Sequence, residues 1–184
     1  MTHFPIHTLM SAPGGAKPFV AMAARAYKKV PNLIAELAES PQAIEAYFSL
    51  SACFERSTLD AAERQIVLLT ASIEHECHYC MAVHIAEAER AGIAPAVIAA
   101  LRSGAPIGDA RLEALRAFTA ALIRTRGTDC QAEADVVLAR GFAPAVLLDV
   151  VIGVTQKMMS NYVNHIAETP LDDWLTPAPA RGRT

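Results

Sequence analysis

From Lys17 to about Ala167, apolar positions recur at the three-to-four spacing of amphipathic helices, and strict two-residue alternation is absent. Alanine, leucine, glutamate and arginine dominate this stretch, which suits helix over strand. The stop and start residues fit the same reading. Asp60 followed by Glu63 is a capping-box pair opening a helix to about Ile73. Gly92 stands where a helix ends and Pro95 where the next begins. Asp109 caps a helix from Ala110 to about Arg126, closed by Gly127. Gly141 and Pro144 repeat the glycine-then-proline device ahead of a long helix to about Ile166. The predicted class is all-α.

The ends read differently. Residues 1–16 form an arm punctuated by Pro5, Pro13, Gly14 and Gly15, with Phe4, Ile6 and Leu9 as anchors. Residues 17–168 are the helical domain. Residues 169–184, with Pro170, Pro177 and Pro179, form a tail that cannot continue a helix and is mobile at its end. Gly92-Ile-Ala-Pro-Ala-Val97 and Gly141-Phe-Ala-Pro-Ala-Val146 agree at five of six positions, 49 residues apart. Either helical turns reuse one stop-and-start device, or a helical unit is duplicated.

Composition narrows the functions. The chain has 184 residues, 16 Lys and Arg against 19 Asp and Glu, and a net charge of −3. That leaves no basic footprint for nucleic acid or an anionic membrane. Apolar residues make up 53% and the mean hydropathy is +0.26. Charged residues nevertheless interrupt every apolar run before it reaches the ~18–20 residues of a bilayer span. The surplus apolar surface points to burial between subunits and hence to a homo-oligomer. The N-terminus lacks the basic start and apolar core of a signal peptide, so the expected compartment is the reducing cytoplasm. The four cysteines are then packing residues or chemistry rather than a disulfide framework.

The chemistry concentrates in Glu74-His-Glu-Cys-His-Tyr-Cys-Met-Ala-Val-His84. At ~100° per residue, Cys77, Cys80 and His84 share one narrow helical face. Cys80 and His84 are i,i+4 neighbours within reach of a thiol–imidazole hydrogen bond. Cys77 and Cys80 have the spacing of a redox dithiol, and at a helix start the dipole favours the thiolate. Three readings follow. One is structural cysteines in a core. Another is a zinc site on Cys77, Cys80 and His84, with His75 or His165 as fourth ligand, although no second Cys/His pair is available. The third is thiol redox chemistry, without a thioredoxin fold because no βαβ pattern surrounds the motif.

Cys-x-x-Cys-x-x-x-His on a helix, following a helix like Ala61-Ala-Glu-Arg-Gln-Ile-Val-Leu-Leu69, resembles the AhpD-like alkylhydroperoxidases of the carboxymuconolactone decarboxylase superfamily. Lys157-Met-Met-Ser-Asn-Tyr-Val-Asn-His-Ile-Ala-Glu-Thr-Pro-Leu-Asp172 is similar to the ending of one branch of that superfamily. The resemblance implies an AhpD-like helical fold that assembles into trimers or hexamers. It implies reduction of organic hydroperoxides with no cofactor or metal. Cys80 would attack the peroxide, Cys77 would resolve the sulfenic acid, and His84 would be the base. A dithiol reductant of lipoyl or thioredoxin type would reopen the disulfide.

Two positions depart from that pattern. Gln65 stands twelve residues before Cys77, where the family has a relay glutamate, and a glutamine takes no proton. Glu74, one turn before Cys77, is the nearest replacement. Tyr79 stands where well-known members have a histidine. Asn161 and His165 either line the thiol pocket or serve the end of the last helix. Cys53 and Cys130 read as inert packing residues. A decarboxylase of the same superfamily, and a dithiol sensor that only switches state, remain the alternatives.

Overall fold

The computed structural model describes residues 4–175. His3 of the arm and residues 176–184 of the tail lie outside the described residues. Nine helices and no strand are present among them. They are α1 (Lys17–Tyr27), α2 (Asn32–Leu37), α3 (Pro41–Glu55), α4 (Ala61–Glu74), α5 (His78–Arg90), α6 (Pro95–Ser103), α7 (Ala110–Thr125), α8 (Gln131–Ala139) and α9 (Ala145–Ala167). The all-α class is therefore observed. No helix among the described residues is long and apolar enough to cross a membrane.

Helix α4 is the axis of the fold. Every residue from Ile66 to Ile73 is buried, as expected of a helix wrapped on all sides, and α5, α7 and α9 pack against it. Its start is the capping box: the Glu63 amide donates to Asp60 Oδ1 at 2.8 Å and the Asp60 amide to Glu63 Oε2 at 3.0 Å. Arg111 Nε donates to the remaining Glu63 oxygen at 2.8 Å, joining the starts of α4 and α7. Two hydrophobic clusters result. One gathers α4, α6, α7, α8 and the first half of α9. The other gathers the arm, α1, α2 and α3 with Cys77, Tyr79 and Cys80.

The hexapeptide echo extends into structure. Asp60 and Asp109 cap α4 and α7 at the same 49-residue offset as Gly92 and Gly141. Both glycines take positive φ, 76° and 82°, to end α5 and α8, a conformation that costs glycine little. The α4–α5–α6 and α7–α8–α9 series thus share start and stop signals, which favours duplication over chance reuse.

The arm is anchored differently from expectation. Ile6 and Leu9 face solvent, and Ala12 and Ala16 make the buried contacts. Small residues sit there because the arm lies directly on α3, where Pro41 would meet a Cβ on Gly15 at 3.1 Å. The described part of the tail is packed. Asn32 Nδ2 donates to the Pro170 carbonyl at 3.0 Å, and Lys29 pairs with Asp173 at 3.0 Å.

Helix α9 passes closest to its neighbours at Gly153. A Cβ there would stand 2.8 Å from two ring atoms of buried Phe54 and 3.1 Å from Val67 Cγ1. Gly153→Ala therefore destabilises the fold by about 1–3 kcal/mol through overpacking, more than the ~1 kcal/mol of helix propensity it gains. Urea unfolding of the two proteins measures the difference, and a more stable variant would contradict the close approach.

Candidate functional site

The turn between α4 and α5 delivers the first thiol. The Glu76 amide donates to the Ile73 carbonyl and the Cys77 amide to the Ser72 carbonyl, both at 3.0 Å, a Schellman closure. Glu76 holds the left-handed position at φ 53°, where a non-glycine residue is strained by roughly 1–2 kcal/mol. Cys77 is consequently the N-cap of α5, with extended backbone at φ −86° and ψ 97°. Cys80 lies in the first turn of α5. The three-residue helical face expected for Cys77, Cys80 and His84 holds within the helix only for Cys80 and His84.

The two cysteines are free and buried, and they lie 3.5 Å apart. Cys80 is surrounded by polar groups of α9. Asn164 Nδ2 donates to its Sγ at 3.1 Å and reaches Cys77 Sγ at 3.7 Å. Ser160 Oγ is 3.8 Å from Cys80 Sγ. Burial by itself would raise the Cys80 thiol. The Cys77 hydrogen bond and the charge of Lys157 outweigh burial and bring Cys80 below the ordinary thiol range. Cys77 moves the opposite way, raised by its hydrogen bond to Cys80 and by burial. The two directions favour an anion on Cys80 over one on Cys77.

His84 does not hydrogen-bond Cys80. Its Nδ1 is 3.0 Å from Gln65 Oε1 and its Nε2 is 3.0 Å from Lys157 Nζ. Gln65 Oε1 only accepts, so Nδ1 carries the hydrogen and Nε2 accepts from Lys157. Burial, then the Lys157 charge, lowers the imidazole well below its usual value. In this geometry His84 Nε2 is the acceptor for Lys157 and makes no hydrogen bond to Cys80, the thiol it was expected to deprotonate. The same bond takes from His84 the lone pair that a zinc ion would need. Among the described residues no group of three or more His, Cys, Asp or Glu side chains could hold a metal ion.

The other expected residues divide. Gln65 reaches the site through His84. Glu74 does not, because Arg124 on α7 clamps both of its oxygens at 2.7 Å. Tyr79 turns away from the thiols and donates to Asp172 Oδ2 at 2.5 Å. Asn161 is buried beside the site, and its Nδ2 reaches the Ala71 carbonyl at 3.5 Å. His165 is exposed. Cys53 is also exposed, with Arg56 beside it, while Cys130 is buried at the start of α8.

Lys157, Ser160 and Asn164 went unread from sequence as site residues. A signal for them exists. Gln156, Lys157, Ser160, Asn161 and Asn164 are all buried and fall on one face of α9, while Val151, Met158, Tyr162 and Ile166 face outward. This half of the helix has its polar side in and its apolar side out.

Residues 39–121 match the Carboxymuconolactone decarboxylase family. In fold, the chain is similar to a peroxidase-related protein with an alkylhydroperoxidase AhpD core from Ralstonia eutropha JMP134. That pair has a TM-score of 0.82 and 19% identity, over 94% of this chain and 93% of the other. It is also similar to a peroxidase-related protein from Silicibacter sp. TM1040, with a TM-score of 0.78 and 20% identity over 93% and 91%. A third likeness is a variant of the debrominase Bmp8 in complex with 2,3,4-tribromopyrrole, with a TM-score of 0.76 and 14% identity over 92% and 91%. No curated protein matches the chain. These likenesses show that the chain has the AhpD-like helical fold.

Replacing Lys157 tests the electrostatics directly. Lys157→Met removes the positive charge that favours the Cys80 anion, so the pH at which thiolate absorbance appears moves upward. The thiolate fraction just below neutral pH then falls. Removing the ammonium also leaves buried His84 Nε2 without its donor and Cys80 without its cation, so the variant is less stable. Ultraviolet titration and urea unfolding read the two effects separately. An unshifted titration would remove Lys157 from the thiolate's surroundings.

Proposed function

We propose that the chain is a dithiol peroxidase that reduces an organic hydroperoxide at Cys80. The observation that carries this reading is the buried thiol pair 3.5 Å apart, with Asn164 Nδ2 donating to Cys80 Sγ. The Cys80 thiolate attacks the terminal peroxide oxygen, forming an S–O bond and breaking the O–O bond. The departing alkoxide takes a proton from the Lys157 ammonium and leaves as the alcohol. Cys77 then displaces water from the Cys80 sulfenic acid, giving the disulfide. An external dithiol, lipoyl or thioredoxin in type, reduces that disulfide and restores the thiolate–ammonium pair. In this cycle Cys80 and Lys157 are catalytic, Cys77 resolves, and His84 and Gln65 position Lys157.

The lysine accounts for the two departures from the family pattern. With Lys157 supplying the proton, neither a glutamate at position 65 nor a histidine at position 79 is required. A decarboxylase would instead need a cation free for the substrate carboxylate, and Lys157 is engaged by His84 and the thiolate. The reading includes a reducing compartment such as the cytoplasm, where the dithiol stays open. It also includes self-association into trimers or hexamers, which would cover the outward apolar residues of α9.

The test is thiol mapping by mass spectrometry after one equivalent of an organic hydroperoxide. Native protein forms the Cys77–Cys80 disulfide, Cys80→Ser forms none, and Cys77→Ser stops at a sulfenic acid on Cys80 that dimedone traps. Lys157→Met slows the first step by about 10–100-fold. Thiols that stay reduced on the timescale of uncatalysed oxidation would overturn the assignment. Disulfide formation without turnover in the presence of dithiol would favour a sensor.

A further inference from the structure

The dithiol cycle leaves a large cavity unused. Helices α1, α2, α3 and α5 with residues 172–175 surround a space of ≈ 460 Å³, a volume typical of sites for small organic molecules. The chain has only 11 aromatic residues, six Phe, four Tyr and one Trp. Six of them line this one space: Phe19, Tyr27, Tyr47, Phe48, Tyr79 and Trp174. Such a concentration in an aromatic-poor chain favours an occupant with a ring or a bulky apolar body.

Neither thiol lines the cavity, but both pack in the cluster that forms its wall. Cys77 and Cys80 belong to the same hydrophobic cluster as Phe19, Tyr47, Phe48 and Tyr79. On α5, Tyr79 and Val83 face the cavity, and each immediately precedes a residue of the polar site, Cys80 and His84. Burial first and the charge of Cys80 second push the Tyr47 phenol up to about 12. Tyr47 both lines the cavity and packs against the cluster that holds Cys80.

The charged groups around the cavity select against anions. Glu55, Glu87 and Asp172 border it with one cation, Arg90. Arg90 is already paired with Glu87, and Asp172 accepts from Tyr79. Among the described residues no border cation is left free for a carboxylate, and Glu55 would repel one.

We propose that this cavity binds the organic body of a neutral aryl or bulky alkyl hydroperoxide, with the peroxide group directed past Tyr47 to Cys80. The inference rests on the dithiol-peroxidase reading and adds its substrate class. Hydrogen peroxide would gain nothing from such a cavity, and a fatty-acid hydroperoxide would carry its carboxylate against Glu55.

Trp174, the only tryptophan, reports occupancy without any thiol chemistry. Full-length protein is titrated with 2-phenyl-2-propanol, the alcohol product of cumene hydroperoxide, and with its ring-carboxylated analogue. The neutral alcohol changes the fluorescence saturably, and the carboxylate binds about tenfold more weakly. Ala52→Phe and Ala26→Phe, two independent fillings of the lining, each weaken the alcohol about tenfold. Each also lowers the ratio of disulfide formation by cumene hydroperoxide to that by hydrogen peroxide about tenfold.

Saturable binding with no thiol oxidation by either peroxide would keep the cavity as a site for neutral aryl molecules and sink the peroxidase reading. Rapid oxidation without saturable binding, or an unchanged ratio in both variants, would overturn the cavity's role and leave the thiol reading standing. Filled variants that altered only the subunit number by light scattering would assign the space to a second copy and overturn the proposal.

Discussion

A lysine side chain only 1% exposed is the constraint around which the site is arranged. Removing an ammonium from water costs several kcal/mol unless an anion and hydrogen-bond acceptors surround it. The acceptor next to Lys157 is His84 Nε2, and the group beside it able to become an anion is Cys80. Burial of the lysine and ionisation of the thiol therefore sustain each other. The neutral residues fit this balance. With Gln65 on Nδ1, the imidazole stays uncharged, so a thiolate on Cys80 would balance the lysine within the buried space. A glutamate at position 65 would add a second negative charge behind the imidazole and draw the proton of Lys157 towards His84. In the proposed cycle, glutamine at this position is part of the arrangement that holds His84.

The fold was largely legible because helix punctuation is local chemistry. Asp60 with Glu63, Asp109, Gly92 with Pro95, and Gly141 with Pro144 mark ends through interactions spanning only a few residues. The Cys-x-x-Cys spacing was legible for the same reason. Lys157, Ser160 and Asn164 were not, because they reach Cys80 and His84 across more than seventy residues of sequence. Nothing local distinguishes them from residues of a solvated helix face. Reading polar as outward also fails on the second half of α9, where the polar side faces the thiols. Glu74 shows the converse. It is one turn from Cys77 in sequence, yet Arg124 on α7 takes it away.

The apparent duplication explains how one helix pair became a site and its counterpart did not. Both series share an aspartate cap and a glycine stop at the same offset. In the first, the α4–α5 turn ends in Cys77 and the next helix opens on a second thiol. In the second, the counterpart helices contribute packing through α7 and α8, while α9 contributes the lysine and asparagine that serve the first. The chemistry therefore arises where the two copies meet, on α5 and α9, and neither copy alone contains it.

Helix α5 also acts as a partition. At ~100° per residue, adjacent positions point to different surroundings, so Tyr79 and Val83 border the aromatic cavity while Cys80 and His84 meet the polar face of α9. Tyr79 is fixed on its side by Asp172, which in turn accepts from the Asn32 amide at 3.0 Å. The segment after α9 is thereby tied to the start of α2, and it closes one wall of the cavity. The pairing makes the wall depend on an interaction between residues 93 positions apart. A single turn of helix consequently separates an environment suited to apolar surface from one suited to an anion. That is the division a hydroperoxide requires, with an organic body at one end and a breaking O–O bond at the other.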